Sequence, residues 1–504
     1  MKLKKLKLSD FLTKELLVLY LLLIIGSFLR LQGVFSNSFA FTYDVGRDML
    51  ALWNIVYDHK IPLIGATTGL AGVFYGPWWY YFLTPFFVIF RGDPQGIAFL
   101  MSVIGVLSIV ASYILGVKLA GKPLGLIFAA LTSISPVLIS LSAQIWNPNI
   151  APLFVMILLY FLYKIYSAKQ KTGGRYYLLL GVLVGINIDL EIVYGIMLML
   201  GTVVSLGIIK NKIITLKNFL LLVLGGLFIA APRIIFDLRH DFLMTNSLIK
   251  FLTEEKSSGG LNEIIAVFLN RVSILFDFFN STIALENKTI GAILLLFIIL
   301  PIVFFYKKSE DIIKKFILTI SIMLLFFLIG TTFFSYDIWP HYLVGVPVLF
   351  LLILSISIYL IGKYSKLYFA PIIIVVIIFY LNLNPITLLK DLSKPLWVGD
   401  ASVYRNQKEV IDYVYSQAKG KDFKYVVYTP PVYDYPYQYM FKWYGPRKYN
   451  YGPQVQSDLA FFILEPDTQY PERLYNWLIE RKDDGKVIKV KELKSGIIIQ
   501  ERTN

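Results

Sequence analysis

The stretch "GPWWYYFLTPFFVIF", residues 76–90, decides how this chain lies in a membrane. It is apolar enough to be counted as a crossing. Counted so, it inverts every loop that follows. Left out of the count, it keeps the lysines and arginines on one side. It is short and carries Pro77 and Pro85, whereas a crossing helix needs roughly 20 apolar residues for about 30 Å of hydrocarbon. The segment therefore reads as an interfacial or re-entrant helix, with Trp78, Trp79, Tyr80 and Tyr81 placed as an aromatic belt.

The rest of the chain supplies the membrane. Of 504 residues, 57% are hydrophobic and 16% charged, and the mean hydropathy is +0.65. Apolar runs predict about eleven spans, near 15–33, 96–117, 123–140, 149–166, 176–188, 192–209, 218–236, 289–306, 314–333, 340–361 and 367–382. Only helices or closed barrels satisfy their backbone in lipid, and the alternating pattern of a barrel is absent. The expected class is an all-α polytopic membrane protein.

Charge orients it. Lys2, Lys4, Lys5 and Lys7 precede the first span, and later clusters include Lys118/Lys122, Lys210/Lys212/Lys217, Lys307/Lys308 and Lys363/Lys366. Loops 141–148, 188–191 and 334–341 hold no Lys or Arg. The positive-inside rule then puts the N-terminus in the cytoplasm and the C-terminus outside. The same rule accounts for the net charge of +15; there is no nucleic-acid motif, and no nucleic-acid partner is expected. The basic start and long apolar run, with no small-x-small cleavage site, read as a retained anchor. The chain has no cysteine, so thiolate metal sites and disulfides are excluded.

This topology leaves a long first outer loop, 34–94, with a second amphipathic helix near 46–58 whose apolar face is Met49, Leu52, Trp53 and Val56. A second outer segment, 237–288, contains "NEIIAVFLNRVSILFDFF", read as an interfacial helix. Residues 1–384 form the membrane domain. Residues 385–504 turn polar and read as a small extracytoplasmic α/β domain, with strands at "KYVVYTP", "LAFFILEP" and "SGIIIQER" and helices at "RNQKEVIDYVYSQAKG" and "PERLYNWLIERKDDG". Its Tyr433, Tyr435, Tyr437, Tyr439, Trp443 and Tyr444 suit either a domain core or stacking on sugars.

The first outer loop opens on "FTYDVGRDML", residues 41–50, which sets Asp44 and Asp48 around Arg47. Helix capping is one account of an aspartate at a helix start. The other is a site: a carboxylate near the bilayer is partly desolvated and gains basicity, and an arginine fork can hold a phosphate. Tyr75 lies in the later Gly- and aromatic-rich stretch "GLAGVFYGPWWYY". Asp189 and Glu191 in "GINIDLEIVYG" are acids in an apolar hairpin, candidates unless the loop tip is simply wet. "APRIIFDLRHDF" adds Arg233, Asp237, Arg239, His240 and Asp241, which a solvated loop also explains. His341 opens a span in "WPHY", where an aromatic anchor is the commoner role. Three histidines, scattered, with no HExxH, give no metal triad. No metal or other cofactor is expected. No phosphate loop, no GxSxG elbow and no paired broken helices of a transporter are visible.

Taken together, "YDVGRD" after a first span, the two-helix outer loop, about eleven spans and an outer tail resemble the C-fold (GT-C) membrane glycosyltransferases. Within them the chain is similar to the protein O-mannosyltransferase and aminoarabinose transferase group. The resemblance covers residues 10–385. Asp44 matches the family aspartate and Arg47 an arginine that some members carry; Val45 stands where a second acid is common. "VFYGPWWYY" resembles a later tyrosine and proline stretch, with Gly76 replacing a basic residue, and "FDLRHDF" resembles bacterial members.

The resemblance implies an inverting transferase in the plasma membrane of a prokaryote. Its donor is a sugar on a polyprenyl monophosphate, presented by the bilayer. Its acceptor is a hydroxyl on a protein, lipid or glycan. Asp44 would be the general base. Arg47, helped by Arg239 or His240, would hold the donor phosphate. Asp48, Tyr75, Glu191, Asp189 and His341 are further candidates for the substrate site. The competing readings are a transporter or flippase of lipid-linked or small solutes, and an inactive glycan-binding scaffold.

Overall fold

The computed structural model describes residues 13–168, 173–210, 215–253, 261–284, 287–333, 337–383, 401–430 and 433–503. The N-terminal lysines, Lys212 and the expected domain boundary at 384/385 lie outside them.

The protein is an integral membrane bundle. Among the described residues, nine helices are long and apolar enough to cross a bilayer, or ten with one bent pair. They include α1 (Lys14–Phe35), α4 (Pro94–Ala120), α7 (Ala151–Ser167), α9 (Ile192–Lys210), α10 (Leu216–Arg239), α13 (Lys288–Phe305), α14 (Asp311–Thr332) and α15 (Val346–Tyr364). The bent pair is α5 (Lys122–Ile134) and α6 (Pro136–Ser142), which meet at 62°. Pro136 cannot donate the hydrogen bond that would continue α5. The buried Arg30 of α1 replaces what is lost, donating to the Thr132 and Ser133 carbonyls at 3.0 and 2.9 Å. At the centre stands α15, buried along nearly its whole length.

The eleven expected spans and these nine or ten candidates differ at three places. The spans expected at 176–188 and 367–382 are the short helices α8 (Gly174–Leu190) and α16 (Ala370–Asn382). The helix expected at the interface, α12 (Leu261–Ile283), passes the length and hydropathy test for a span. Beyond Glu263, an 18-residue window stays apolar on average in spite of Arg271 and Asp277. Its middle nevertheless lies at a bundle end: the buried Arg271 donates to Thr331 O, in the last turn of α14, at 3.0 Å.

The segment 76–90 resolves as α3 (Trp78–Ile89), 12 residues and too short to cross. It packs on α2 (Tyr43–Val56). The two lie at the bundle end opposite Lys122 and Glu15, which pair at 3.5 Å near the starts of α5 and α1. The aromatic belt is not what its four aromatics form. Trp79 and Tyr80 are buried, Trp78 donates to Ile229 O at 2.7 Å, and Tyr81 donates to Pro62 O. These side chains anchor protein to protein because the indole and phenol donors find acceptors inside the fold.

Residues 401–503 pack over the α2–α3 end. Helices α17 (Tyr404–Ala418), α18 (Tyr435–Tyr449) and α19 (Pro471–Glu480) accompany a four-stranded sheet of β1 (Lys424–Tyr428), β2 (Leu459–Leu464), β3 (Lys486–Glu492) and β4 (Ile498–Thr503). The order is β1-β2-β4-β3, parallel between β1 and β2 and antiparallel elsewhere. The strand β3 was not anticipated; "KVIKVKE" is exposed along its length, and Val487, Ile488 and Val490 do not alternate cleanly with its charges. The tyrosines divide: Tyr437, Tyr439 and Trp443 are core, while Tyr433 is exposed.

Contacts to the segment between α1 and α4 are extensive. Phe41 N donates to Ser402 O at 2.6 Å and Tyr404 N to Phe39 O at 3.0 Å. Trp443 Nε1 donates to Arg91 O at 2.9 Å. Gly46 of the "YDVGRD" motif faces the backbone of Tyr435 and Pro436 so closely that a Cβ would collide with it.

Candidate functional site

Helix α2 buries Val45, Asp48, Met49 and Leu52, spaced i, i+3, i+4, i+7. The apolar face therefore starts earlier than the sequence suggested, and an acid sits within it. Asp48 is 1% exposed. Its Oδ1 accepts from Arg47 Nη2 at 2.8 Å, Arg47 Nε at 3.0 Å and the Tyr80 hydroxyl at 3.1 Å; its Oδ2 accepts from Trp79 Nε1 at 2.9 Å. A buried carboxylate is tolerable only with such partners. Asp48 thus fastens α2 to α3 and fixes the Arg47 fork.

The third corner is Asp44, two residues past the N-cap Thr42. Its Oδ1 accepts from Arg47 Nη1 at 2.7 Å. Capping is not the role seen for it. Burial pushes the Asp44 carboxyl above the usual aspartate range; the Arg47 charge opposes the rise and the Asp48 charge adds to it. Burial also works against the Arg47 charge, but Asp48, Tyr80 and Asp44 outweigh it and keep the guanidinium firmly protonated.

Two cavities flank this triad. One, of about 580 Å³, is lined by Tyr43, Asp44, Trp146 and, from residues 401–503, Gln407, Thr429 and Glu465. The other, of about 310 Å³, is mostly apolar and includes Trp78, Trp79, Phe154 and Asp189. Trp79, which bonds Asp48, walls the second cavity; Asp44, which bonds Arg47, walls the first. The Asp44–Arg47–Asp48–Trp79 chain joins them.

Other expected residues gather nearby. The Tyr75 hydroxyl donates to Glu191 Oε2 at 2.7 Å. Glu191 lies between α8 and α9, and burial pushes its carboxyl up to about 7. Burial raises the Tyr75 phenol too, helped by the Glu191 charge and, more weakly, that of Asp44. His341 is half-buried with its ring 5.0 Å from that of Trp146, and burial lowers its imidazolium to about 4. Asp189 meets Arg233 Nε at 3.4 Å and accepts from Trp78 N at 3.3 Å. Gly76 lies against it, and any Cβ there would overlap the carboxylate. Position 76 has no room for a side chain, because Asp189 occupies the space and pairs with Arg233.

Arg239 and His240 sit elsewhere. Both are exposed at the end of α10, and His240 turns back, its Nδ1 2.7 Å from Phe236 O and its ring stacked on Phe236. No contact joins either of them to Arg47 among the described residues. Asp237 caps α11 (Leu243–Thr253), accepting from Met244 N at 2.6 Å. Gln407, Thr429 and Glu465 were missed entirely, because nothing local in the sequence ties them to a site more than 350 residues away.

Residues 75–236 match the family model described as dolichyl-phosphate-mannose-protein mannosyltransferase. The whole chain is similar in structure to ArnT from Cupriavidus metallidurans bound to undecaprenyl phosphate, with TM-score 0.57, 9% identity and 98% of each chain covered. It is similar to the apo state of the same protein, with TM-score 0.54, 10% identity and 98% of each chain covered. No curated protein sequence matches it. At such identities the likeness is one of fold, and the fold is GT-C.

Proposed function

We propose that this GT-C membrane protein is an inverting glycosyltransferase that moves a sugar from a polyprenyl monophosphate to an acceptor hydroxyl at the outer face of the membrane. The observation that carries the reading is the Asp44–Arg47–Asp48 triad, set between an apolar cavity and a more polar one. In this reading the lipid-borne donor approaches from the apolar side and the acceptor from the polar side.

Asp48 engages Nε and Nη2 of Arg47, and Asp44 engages Nη1. A donor phosphate that takes Nη1 leaves Arg47 anchored by Asp48 and releases Asp44 from its cation. Asp44 then becomes more basic when the donor is in place. It removes the proton from the acceptor hydroxyl, whose oxygen forms the bond to the anomeric carbon. The bond from that carbon to phosphate oxygen breaks, and the polyprenyl phosphate leaves as an anion held by Arg47. The triad carries two acids and one base, so a second cation is needed beside the phosphate; Arg233 is the better candidate. Arg239 or His240 would first have to move to Arg47. Tyr75, bonded to Glu191, feels the Asp44 charge, and His341 packs on Trp146 of the larger cavity. Residues 1–384 form the catalytic membrane domain and 385–504 an outer domain that closes the site.

Mass spectrometry of lipids that copurify with the full-length protein tests the donor class. Polyprenyl phosphate is expected with the wild type and reduced in Arg47→Ala. Its absence from both, or retention unaffected by the substitution, refutes the assignment of Arg47.

A further inference from the structure

We infer that the acceptor is a carbohydrate, and that residues 401–503 supply its binding subsite through Gln407, Thr429, Glu465 and Tyr433. This rests on the proposed reaction and names its acceptor class.

The cavity of about 580 Å³ is lined by Asp44 together with these four residues. Its size lies within the range of small-ligand sites, roughly 300–1,000 Å³. Gln407 is 1% exposed and Thr429 7% exposed. Among the described residues, neither Gln407 Oε1 nor Thr429 Oγ1 has a hydrogen-bond partner. Buried polar atoms without partners are uncommon and costly in a folded protein, and two lining one cavity point to a ligand that supplies the missing donors.

Glu465 adds a buried carboxylate held by the Tyr437 hydroxyl at 2.8 Å. The same cavity also has aromatic lining. Tyr43 and Tyr433 are both exposed and lie near-parallel, 6.2 Å apart, and Trp146 completes the lining. Hydroxyl-seeking oxygens and flat apolar rings in one cavity match a pyranose, which has polar edges and a C–H face. Asp44 on the same cavity is where one of its hydroxyls would lose a proton.

A polypeptide acceptor fits less well. One common way for an extended peptide to bind is by adding to a free strand edge. Here the segment entering α2 is already paired with the segment entering α17: Ala40 bridges Val403, and Phe41 N donates to Ser402 O. That edge is closed.

The test uses full-length protein in nanodiscs. It is titrated with maltose, chitobiose and mannobiose and, separately, with a Ser/Thr-rich peptide, read by saturation-transfer NMR and tryptophan fluorescence. At least one disaccharide should bind. Gln407→Leu and Thr429→Val, both nearly isosteric, should each weaken it about tenfold, the effect of one hydrogen bond. Because the removed oxygens have no partner among the described residues, melting should not fall in either variant. Binding of the peptide in place of the saccharides overturns the inference, as does saccharide binding indifferent to both variants. In those two cases retained polyprenyl phosphate leaves the proposed reaction standing. A protein that retains no polyprenyl phosphate takes down both.

Discussion

Asp48→Asn is the sharpest perturbation of the triad. The carboxylate accepts four hydrogen bonds, two from Arg47 and one each from Trp79 and Tyr80. Asparagine keeps one acceptor oxygen and turns an amide N–H₂ toward groups that are themselves donors. At least one buried donor is left unsatisfied, at about 1–3 kcal/mol. Breaking a buried ion pair outright costs about 3–5 kcal/mol, but Arg47 keeps Asp44. The net loss should therefore be about 2–4 kcal/mol, seen as a lower melting temperature by scanning fluorimetry.

The catalytic consequence has a sign. Removing Asp48 takes away a charge that raises the Asp44 carboxyl and leaves Arg47 to pair with Asp44 alone. Both changes make Asp44 less basic. The acid limb of the pH–rate profile should move to lower pH, and the plateau rate should fall. A fall of one unit in the Asp44 pKa is worth about 1.4 kcal/mol. The profile is read with a labelled polyprenyl-phosphate sugar in initial-rate assays. A variant with unchanged melting and an unchanged acid limb refutes the view that Asp48 sets the position of Arg47 and the basicity of Asp44.

Asp44→Asn should lower the transfer rate about 10²–10⁴-fold, the usual worth of a general base, with little change in melting, since a part-exposed ion pair contributes at most about 1 kcal/mol; initial rates within tenfold of wild type would exclude Asp44 as the base. Because the base must be ionised, and burial holds Asp44 above the ordinary aspartate range, the wild-type rate should fall on the acid side at a pH above that range. Glu191→Gln keeps an acceptor for Tyr75 and removes a buried carboxyl whose pKa is pushed up from 4.5 to about 7. The folded protein binds that proton more tightly than the unfolded one, so wild-type stability declines as pH rises from about 4.5 through 7, by on the order of 3 kcal/mol. Melting of the variant should lack that decline, and a decline of the same size would assign it to another group. Gly76→Ala should cost about 1–3 kcal/mol by overpacking against Asp189, read as lower yield and melting temperature; wild-type behaviour would show that Asp189 is free to move.

The sequence by itself determined what depends on near neighbours. Hydropathy sums over about 20 residues place the spans, because burial in lipid is nearly additive along a helix. The shortness and prolines of 76–90 were enough to keep α3 out of the membrane count. The "YDVGRD" motif was legible because one turn of helix brings positions 44 and 47 together, as the 2.7 Å Asp44–Arg47 pair shows. Asp48 was half legible: it interrupts the stripe Val45–Met49–Leu52, a buried acid whose one local partner is Arg47.

Only the tertiary structure decided what Asp48 bonds, since Trp79 and Tyr80 come from another helix. It also decided that Gly76 is empty to make room for Asp189, and that Gln407, Thr429 and Glu465 line a cavity with Asp44. The physical reason is the same in each case. A residue's local pattern states whether it will be buried or exposed. The identity of its partner depends on how distant faces pack, and single polar residues far apart in the chain leave no periodic trace of that packing.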